Sequence, residues 1–147
     1  MRMTQITAGP DALDAFVVNG AGTTVSVGRP VHLIVGASCD GKKVTVQDAL
    51  NGRAFIGVAN QDIPANGNAG SQGEFARLQG RTRAYIFAHG ASVTIGAGAP
   101  MGPGASASNG FGSTGLDGNF GPLVACDTIG ASICSAGGFA YTYVNML

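Results

Sequence analysis

A few residues of this chain are of types that carry chemistry in other proteins, and their spacing decides what they do here. Residues 110–115, Gly-Phe-Gly-Ser-Thr-Gly, match the G-x-G-x-x-G pattern of dinucleotide-binding turns. That pattern holds a pyrophosphate only where a strand precedes it and a helix begins within it. Here an Ala/Ser-rich stretch comes before the pattern, and Leu116-Asp117-Gly118 follows it. We therefore expect no nucleotide cofactor.

The histidines and cysteines indicate neither a catalytic pair nor a metal site. The chain has two histidines, His32 and His89, and three cysteines, Cys39, Cys126 and Cys134. Neither histidine has a nucleophile at a spacing that would single it out, and the cysteine spacing does not match a structural zinc motif. A disulfide between Cys126 and Cys134 stays open, although an odd number of cysteines favours reduced thiols. We expect a protein that is not an enzyme and that binds no cofactor and no metal.

The charged residues are few, and their positions suggest contacts. Arg77, Arg81 and Arg83 cluster around one predicted hairpin, which predicts either a solvated face or ion pairs with an acidic partner. We interpret Asp62 and Asp127 as matching positions of an internal repeat, where an aspartate that ends a strand can accept backbone hydrogen bonds in the following turn. The formal net charge is zero. We expect no nucleic-acid partner, because neutralising phosphates needs an excess of Lys and Arg.

An internal repeat in the sequence predicts how the elements that position these residues are organised. Residues 57–63, Gly-Val-Ala-Asn-Gln-Asp-Ile, are echoed by residues 123–129, Leu-Val-Ala-Cys-Asp-Thr-Ile. Residues 25–31 are echoed in the same way by residues 93–101. The offsets of about 64 to 68 residues predict one domain over residues 25–147 with two related halves. We place these halves at about residues 25–87 and 93–147.

The composition favours an all-β fold. Gly accounts for 25 of the 147 residues, more than twice its usual share of about 7%. Apolar and polar residues alternate with a period of two in several short runs, and no segment sustains a period of 3.6. We therefore predict an all-β domain. No apolar stretch approaches the roughly 18 residues that a membrane-spanning helix needs, so we expect no membrane partner.

The N-terminal residues differ from the rest. Residues 1–24 are mostly polar and small, with one apolar anchor at Phe16, Val17 and Val18. Such a segment is able to order on a partner by adding strand hydrogen bonds at a sheet edge. We predict an extended N-terminal arm that contains one strand and contacts a partner through these three residues.

Residues 96–121 form the second unusual stretch. They consist mainly of Gly and small residues, with Phe111, Leu116 and Phe120 spaced along them. Long structureless loops inside a compact domain are uncommon and often functional. We predict a long Gly-rich loop whose three large apolar side chains pack on another copy of the chain.

In the order of its elements, the chain resembles the tailed-phage head decoration proteins, also called capsid cement proteins. The matching stretches cover roughly residues 25–147 and are Val27-Gly28, residues 57–59 with Asp62, residues 67–75, residues 93–100, residues 123–125 with Asp127, and residues 141–144. The resemblance implies a small β-barrel or β-tulip-like domain that forms a homotrimer on the outer capsid surface. It also implies an N-terminal arm that reaches the major capsid protein. This chain differs in its long stretch 96–121. It also differs in the second copy of Gly-Val-Ala, which reads Leu-Val-Ala at residues 123–125.

The expected function is that of a structural virion protein that stabilises a phage capsid. The start of the sequence has no apolar signal core, so we expect synthesis in the host cytoplasm, and the resemblance implies a final location on the virion. One alternative is a phage head-fibre or tail base β domain. Another is a small carbohydrate-binding module, a class that usually presents Trp or Tyr platforms. This chain has no Trp and three tyrosines, Tyr85, Tyr141 and Tyr143.

Overall fold

The computed structural model describes residues 3–4, 12–20, 22–35, 43–45, 54–65, 74–87, 93–103, 110–113 and 122–145. In this part of the chain nearly all regular structure is β-strand, so the prediction of an all-β fold is confirmed. The strands are β1 (Met3–Thr4), β2 (Leu13–Asn19), β3 (Pro30–Leu33), β4 (Lys43–Thr45), β5 (Phe55–Ala59), β6 (Glu74–Ile86), β7 (Pro100–Pro103), β8 (Phe111–Ser113), β9 (Leu123–Ala125) and β10 (Gly138–Asn145). One short helix, α1 (Ala131–Ala136), accompanies them. None of the described helical residues form a helix long and apolar enough to cross a membrane.

The first half of the fold is a closed ring of strands. β2 pairs in parallel with β4, and β4, β3, β5 and β6 then pair in that order, all antiparallel. β6 also pairs with β2, which closes a ring that we call the first ring. Its interior is filled by apolar side chains that are fully buried, including Val31, Val44, Ala59 and Ile63.

The second half repeats this plan. β6 pairs in parallel with β8, and β8, β7, β9 and β10 then pair in that order, all antiparallel. β10 pairs with β6, which closes the second ring around another apolar cluster that includes Ile86, Met101 and Leu123. The long strand β6 therefore belongs to both rings. Its residues up to Gln79 pair with β2, and its residues from Gln79 onward pair with β10.

Matching hydrogen bonds outside the strands show how closely the two halves correspond. The backbones of Val25 and Ile63 exchange hydrogen bonds of 3.0 and 2.8 Å, and those of Ile95 and Ile129 exchange hydrogen bonds of the same two lengths. These four side chains are buried at equivalent places in the two cores. When the strands of the two rings are matched, each half begins one strand earlier than the sequence repeat predicts. The first half begins with β2, and the second begins with the later part of β6.

The turn before β3 and the turn before β7 also correspond. The Gly28 N–H donates to the Ala59 carbonyl at 2.8 Å, and the Gly98 N–H donates to the Ala125 carbonyl at 2.8 Å. Gly28 has a φ of 78° and Gly98 a φ of 79°, a left-handed conformation that side chains other than Gly rarely adopt. The same tight turn therefore starts the second strand of each ring.

The described part of the expected N-terminal arm belongs to the folded domain. β2 lies within residues 1–24, pairs with both β4 and β6, and buries Val17 in the first core. The prediction that Val17 anchors the chain to a partner is wrong, because its own domain already covers this side chain. Val18 is half-buried and Phe16 is exposed. Residues 1–2, 5–11 and 21 of the expected arm lie outside the described residues.

The expected long loop also contains strands. β7 and β8 both fall within residues 96–121, and Phe111 of β8 is fully buried in the second core. Its ring lies edge-to-face with that of Phe55, with 5.8 Å between the centroids. The prediction that Phe111 contacts another subunit is wrong, because the side chain is enclosed within its own chain. Leu116 and Phe120 lie outside the described residues.

Candidate interaction surface

The outward side of strands β6 and β10 carries a group of exposed aromatic and arginine side chains. On β10, Phe139, Tyr141 and Tyr143 are 39%, 47% and 36% exposed, whereas Thr142 and Val144 are buried. The alternation arises because successive side chains of a strand point to opposite faces. We call this surface the outer face. It consists of the exposed residues Arg81 and Arg83 of β6 and Phe139, Tyr141 and Tyr143 of β10, together with the half-buried Tyr85 of β6.

The register of the two strands interleaves arginines with aromatic residues. Tyr141 lies directly opposite Arg83, and Tyr143 lies directly opposite Arg81. Side chains opposite each other on antiparallel strands are close enough to interact, and diagonal neighbours remain within reach of long side chains. The outer face is therefore a continuous patch rather than a set of isolated residues.

Two arginines of this patch stack on aromatic rings along the diagonals. The guanidinium carbon of Arg81 lies 4.3 Å from the ring centroid of Tyr141, and that of Arg83 lies 4.9 Å from the ring centroid of Phe139. A cation–π contact at an exposed site contributes about 0.5–1 kcal/mol. The stacking also fixes the position of each guanidinium. It uses only the face of the group, so the N–H donors in its plane remain able to form hydrogen bonds.

A turn of the first ring borders one end of the outer face. The Tyr85 N–H donates to the Gly28 carbonyl at 2.8 Å. The Arg29 guanidinium lies 3.6 Å from the Tyr85 ring centroid, and the Tyr85 ring is edge-to-face with Phe139 at 5.4 Å. The first ring thus positions the aromatic side chains of the second.

Arg77, which precedes this patch on β6, has a different role. Its Nε and Nη2 donate to the carboxylate of Asp14, the second at 3.3 Å, and its Nη1 donates to the Arg81 carbonyl at 3.0 Å. Asn60 also donates to Asp14, at 3.0 Å. The prediction that Arg77 forms an ion pair with a partner protein is wrong, because its charge is balanced within the chain. The predicted partner contacts of Arg81 and Arg83 stay predictions.

The other residues whose side chains could carry out chemistry make contacts that stabilise the fold. Cys126 and Cys134 are free thiols. Burial raises the pKa of the Cys134 thiol, an effect that a backbone hydrogen bond to Ile95 opposes. The carboxylate of Asp62 accepts the Val27 N–H at 2.8 Å, a contact with the turn before β3, whereas the predicted contact was with the turn after its own strand. Asp62 corresponds in register to Thr128, so the prediction that Asp62 and Asp127 match is wrong.

No metal-binding cluster occurs among the residues that the structure describes. His32 is buried with its ring edge-to-face with Phe55 at 5.6 Å, while His89 and Cys39 lie outside the described residues. Residues 111–113 of the glycine motif form strand β8, so they do not open a helix as the dinucleotide turn requires. The outer face is the best candidate for a functional surface in this part of the chain.

Comparison with protein-family models and with the sequences of curated proteins finds no match to this chain. The basis for a functional proposal is therefore the outer face itself, together with the resemblance in element order described above.

Proposed function

We propose that this chain is a structural virion protein that binds the outer surface of a tailed-phage capsid as a decoration protein, acting as a homotrimer. The outer face is the observation that carries the proposal. It presents Tyr, Phe and Arg, the residue types enriched in protein interfaces and their energetic centres. Such a group of exposed aromatic side chains on one face is a typical sign of a partner.

The architecture supports a binding role. Two closed rings with separate buried cores hold the outer face on paired strands, and a surface carried on regular strands loses little conformational freedom when a partner binds. A capsid offers many identical sites. A trimer that occupies several sites at once gains affinity through its linked subunits, even where each contact is weak.

A carbohydrate-binding role is less well supported by the same surface. Sugar rings stack on flat, open aromatic faces. A guanidinium lies over one face of each of Tyr85, Tyr141 and Phe139, and this reduces the ring area that a sugar would need. The same arginines favour a protein partner.

Co-sedimentation with capsids tests the proposed function. The purified full chain would be mixed with heads assembled from the major capsid protein of the same phage genome, and heads of an unrelated phage would serve as the control. We expect saturable binding at a fixed ratio to the capsid protein, a higher melting temperature of the decorated heads, and a trimer mass by light scattering. A chain that does not bind these heads at micromolar concentration would contradict the proposal.

A further inference from the structure

We propose that the outer face binds an acidic protein segment, with Arg81 and Arg83 pairing with its carboxylates and Tyr141 and Tyr143 covering its apolar side chains. The inference rests on the proposed function in that the segment would belong to the capsid protein. It goes further by naming the surface and the chemistry of the partner.

The charge of the outer face suits a negatively charged partner. Arg81 and Arg83 are exposed, and neither forms an ion pair with any described residue, whereas Arg77 on the same strand is paired with Asp14. The residues opposite Arg81 and Arg83 on β10 are both tyrosines. Positive charge is therefore concentrated on this face without a carboxylate among the residues that form it.

The stacking geometry suits carboxylates in particular. A guanidinium that lies over a ring keeps its N–H donors in its own plane, where a carboxylate can accept two parallel hydrogen bonds. Because Tyr141 and Phe139 hold Arg81 and Arg83 in place, less side-chain freedom is lost when the carboxylate binds. A lysine at either position would provide charge without this planar arrangement.

The apolar part of the surface extends beyond β10. Val124 of β9 lies directly opposite Tyr143, and both side chains are exposed. The residue equivalent to Val124 in the first ring is Val58, which lies opposite Arg77, is fully buried and packs into the second core. The second core thus covers Val58 of the first ring, whereas the equivalent Val124 of the second ring is exposed. A partner segment with apolar side chains beside its carboxylates would cover this position in the same way.

The chain itself provides a local reporter for the test. It has no Trp, and all three of its tyrosines belong to the outer face. Tyrosine emission therefore responds to occupation of this surface. Two probes would be titrated, a peptide of alternating Glu and Leu and a matched peptide of alternating Gln and Leu. The variant is R81Q/R83Q, and K43Q on the first ring is the control that also removes positive charge.

We expect the Glu-Leu peptide to change the tyrosine emission and the Gln-Leu peptide to do so at least about tenfold more weakly. R81Q/R83Q should lose most of the response to the Glu-Leu peptide, R81K/R83K should keep part of it, and K43Q should match the wild type. Equal responses to the two peptides, or an unchanged response in R81Q/R83Q, would overturn the inference. A response to maltohexaose and not to the acidic peptide would also overturn it and would favour a sugar ligand.

Binding to heads separates this inference from the proposed function. We expect wild-type binding to weaken between about 50 and about 500 mM NaCl as salt screens the arginines, and R81Q/R83Q to bind about tenfold more weakly with a smaller salt dependence. If wild type and R81Q/R83Q bind heads equally, the proposed function stands and this inference fails. If wild type binds the acidic peptide but not heads, the proposed function fails and the chemistry assigned to the outer face stands.

Discussion

The two rings share one strand plan and use equivalent positions in opposite ways. In the first ring Asp14 lies opposite Arg77, and in the second ring Arg81 occupies the place of Asp14 and Tyr143 that of Arg77. The first pair is an ion pair whose side chains are only 4% and 13% exposed, whereas Arg81 and Tyr143 are both exposed. The strand plan is thus repeated, but equivalent positions differ. They form an internal ion pair in the first ring and part of an accessible surface in the second.

The cores of the two rings provide the comparison with the largest expected effect. Phe111 and Val44 are equivalent, because the Phe87 N–H donates to the Phe111 carbonyl and the Gly20 N–H to the Val44 carbonyl, both at 2.9 Å. Both side chains are fully buried. We expect Phe111→Ala to lower the free energy of unfolding by about 3–5 kcal/mol and Val44→Ala by roughly 2 kcal/mol.

Urea denaturation followed by far-UV circular dichroism measures both losses. If Phe111→Ala costs less than about 1 kcal/mol while the mass in solution falls, Phe111 is a subunit contact and the description of the second core is wrong.

The ion pair of the first ring is the next contrast. Asp14→Ala leaves the mostly covered guanidinium of Arg77 without its carboxylate, and removing one partner of such a pair typically costs about 3–5 kcal/mol. Arg81→Ala at the equivalent position removes only an exposed cation–π contact, for which we expect a loss below about 1 kcal/mol. The difference between these two variants in chemical denaturation measures how far the halves have diverged. Equal losses would mean that the two positions have the same structural role.

The two turn glycines give a smaller contrast. A Cβ at Gly28 would lie 2.6 Å from Cε1 of Phe139 and 3.1 Å from the backbone N of Tyr85, whereas a Cβ at Gly98 would have no atom within 4 Å. The backbone strain is the same at both positions and costs roughly 1–2 kcal/mol. We therefore expect Gly98→Ala to show this loss alone and Gly28→Ala to exceed it by a further ~1 kcal/mol or more. Matching thermal denaturation curves for the two variants would show that the Gly28 turn is not packed against the second ring.

Part of this fold is predictable from the sequence, because some of its signals are local. A short apolar run predicts the strand Phe55–Ala59, and the alternation of apolar and polar residues predicts the strand Gly138–Asn145. The repeat of residues 57–63 at 123–129 predicts two related halves. β7 reads Pro-Met-Gly-Pro and β8 has only three residues. Neither strand has an alternating pattern, and their extended conformation depends on pairing with each other, of β7 with β9 and of β8 with β6.

The aromatic part of the outer face is not predictable from the sequence, for a different reason. The usual rule that large apolar side chains point inward would place Phe139, Tyr141 and Tyr143 in the core, with Thr142 outside. The structure shows the reverse, since Thr142 is buried and the three aromatic residues are exposed. The role of Arg77 was equally hidden, because its partner Asp14 is distant in sequence and meets it only when the first ring closes.

The most direct test of the functional difference between the rings compares two exposed aromatic sites by cryo-EM occupancy on heads. Tyr141→Ser with Tyr143→Ser alters the second ring, and Phe16→Ser alters the outward side of β2 in the first ring, where Phe16 is 37% exposed. Both variants should keep the wild-type circular dichroism spectrum, because none of the three side chains is buried. We expect the tyrosine variant to lose most of its occupancy and Phe16→Ser to decorate heads as the wild type does. Loss of occupancy by Phe16→Ser together with full occupancy by the tyrosine variant would contradict the account. It would place the binding surface on the first ring and support the partner contact that the sequence predicts for Phe16.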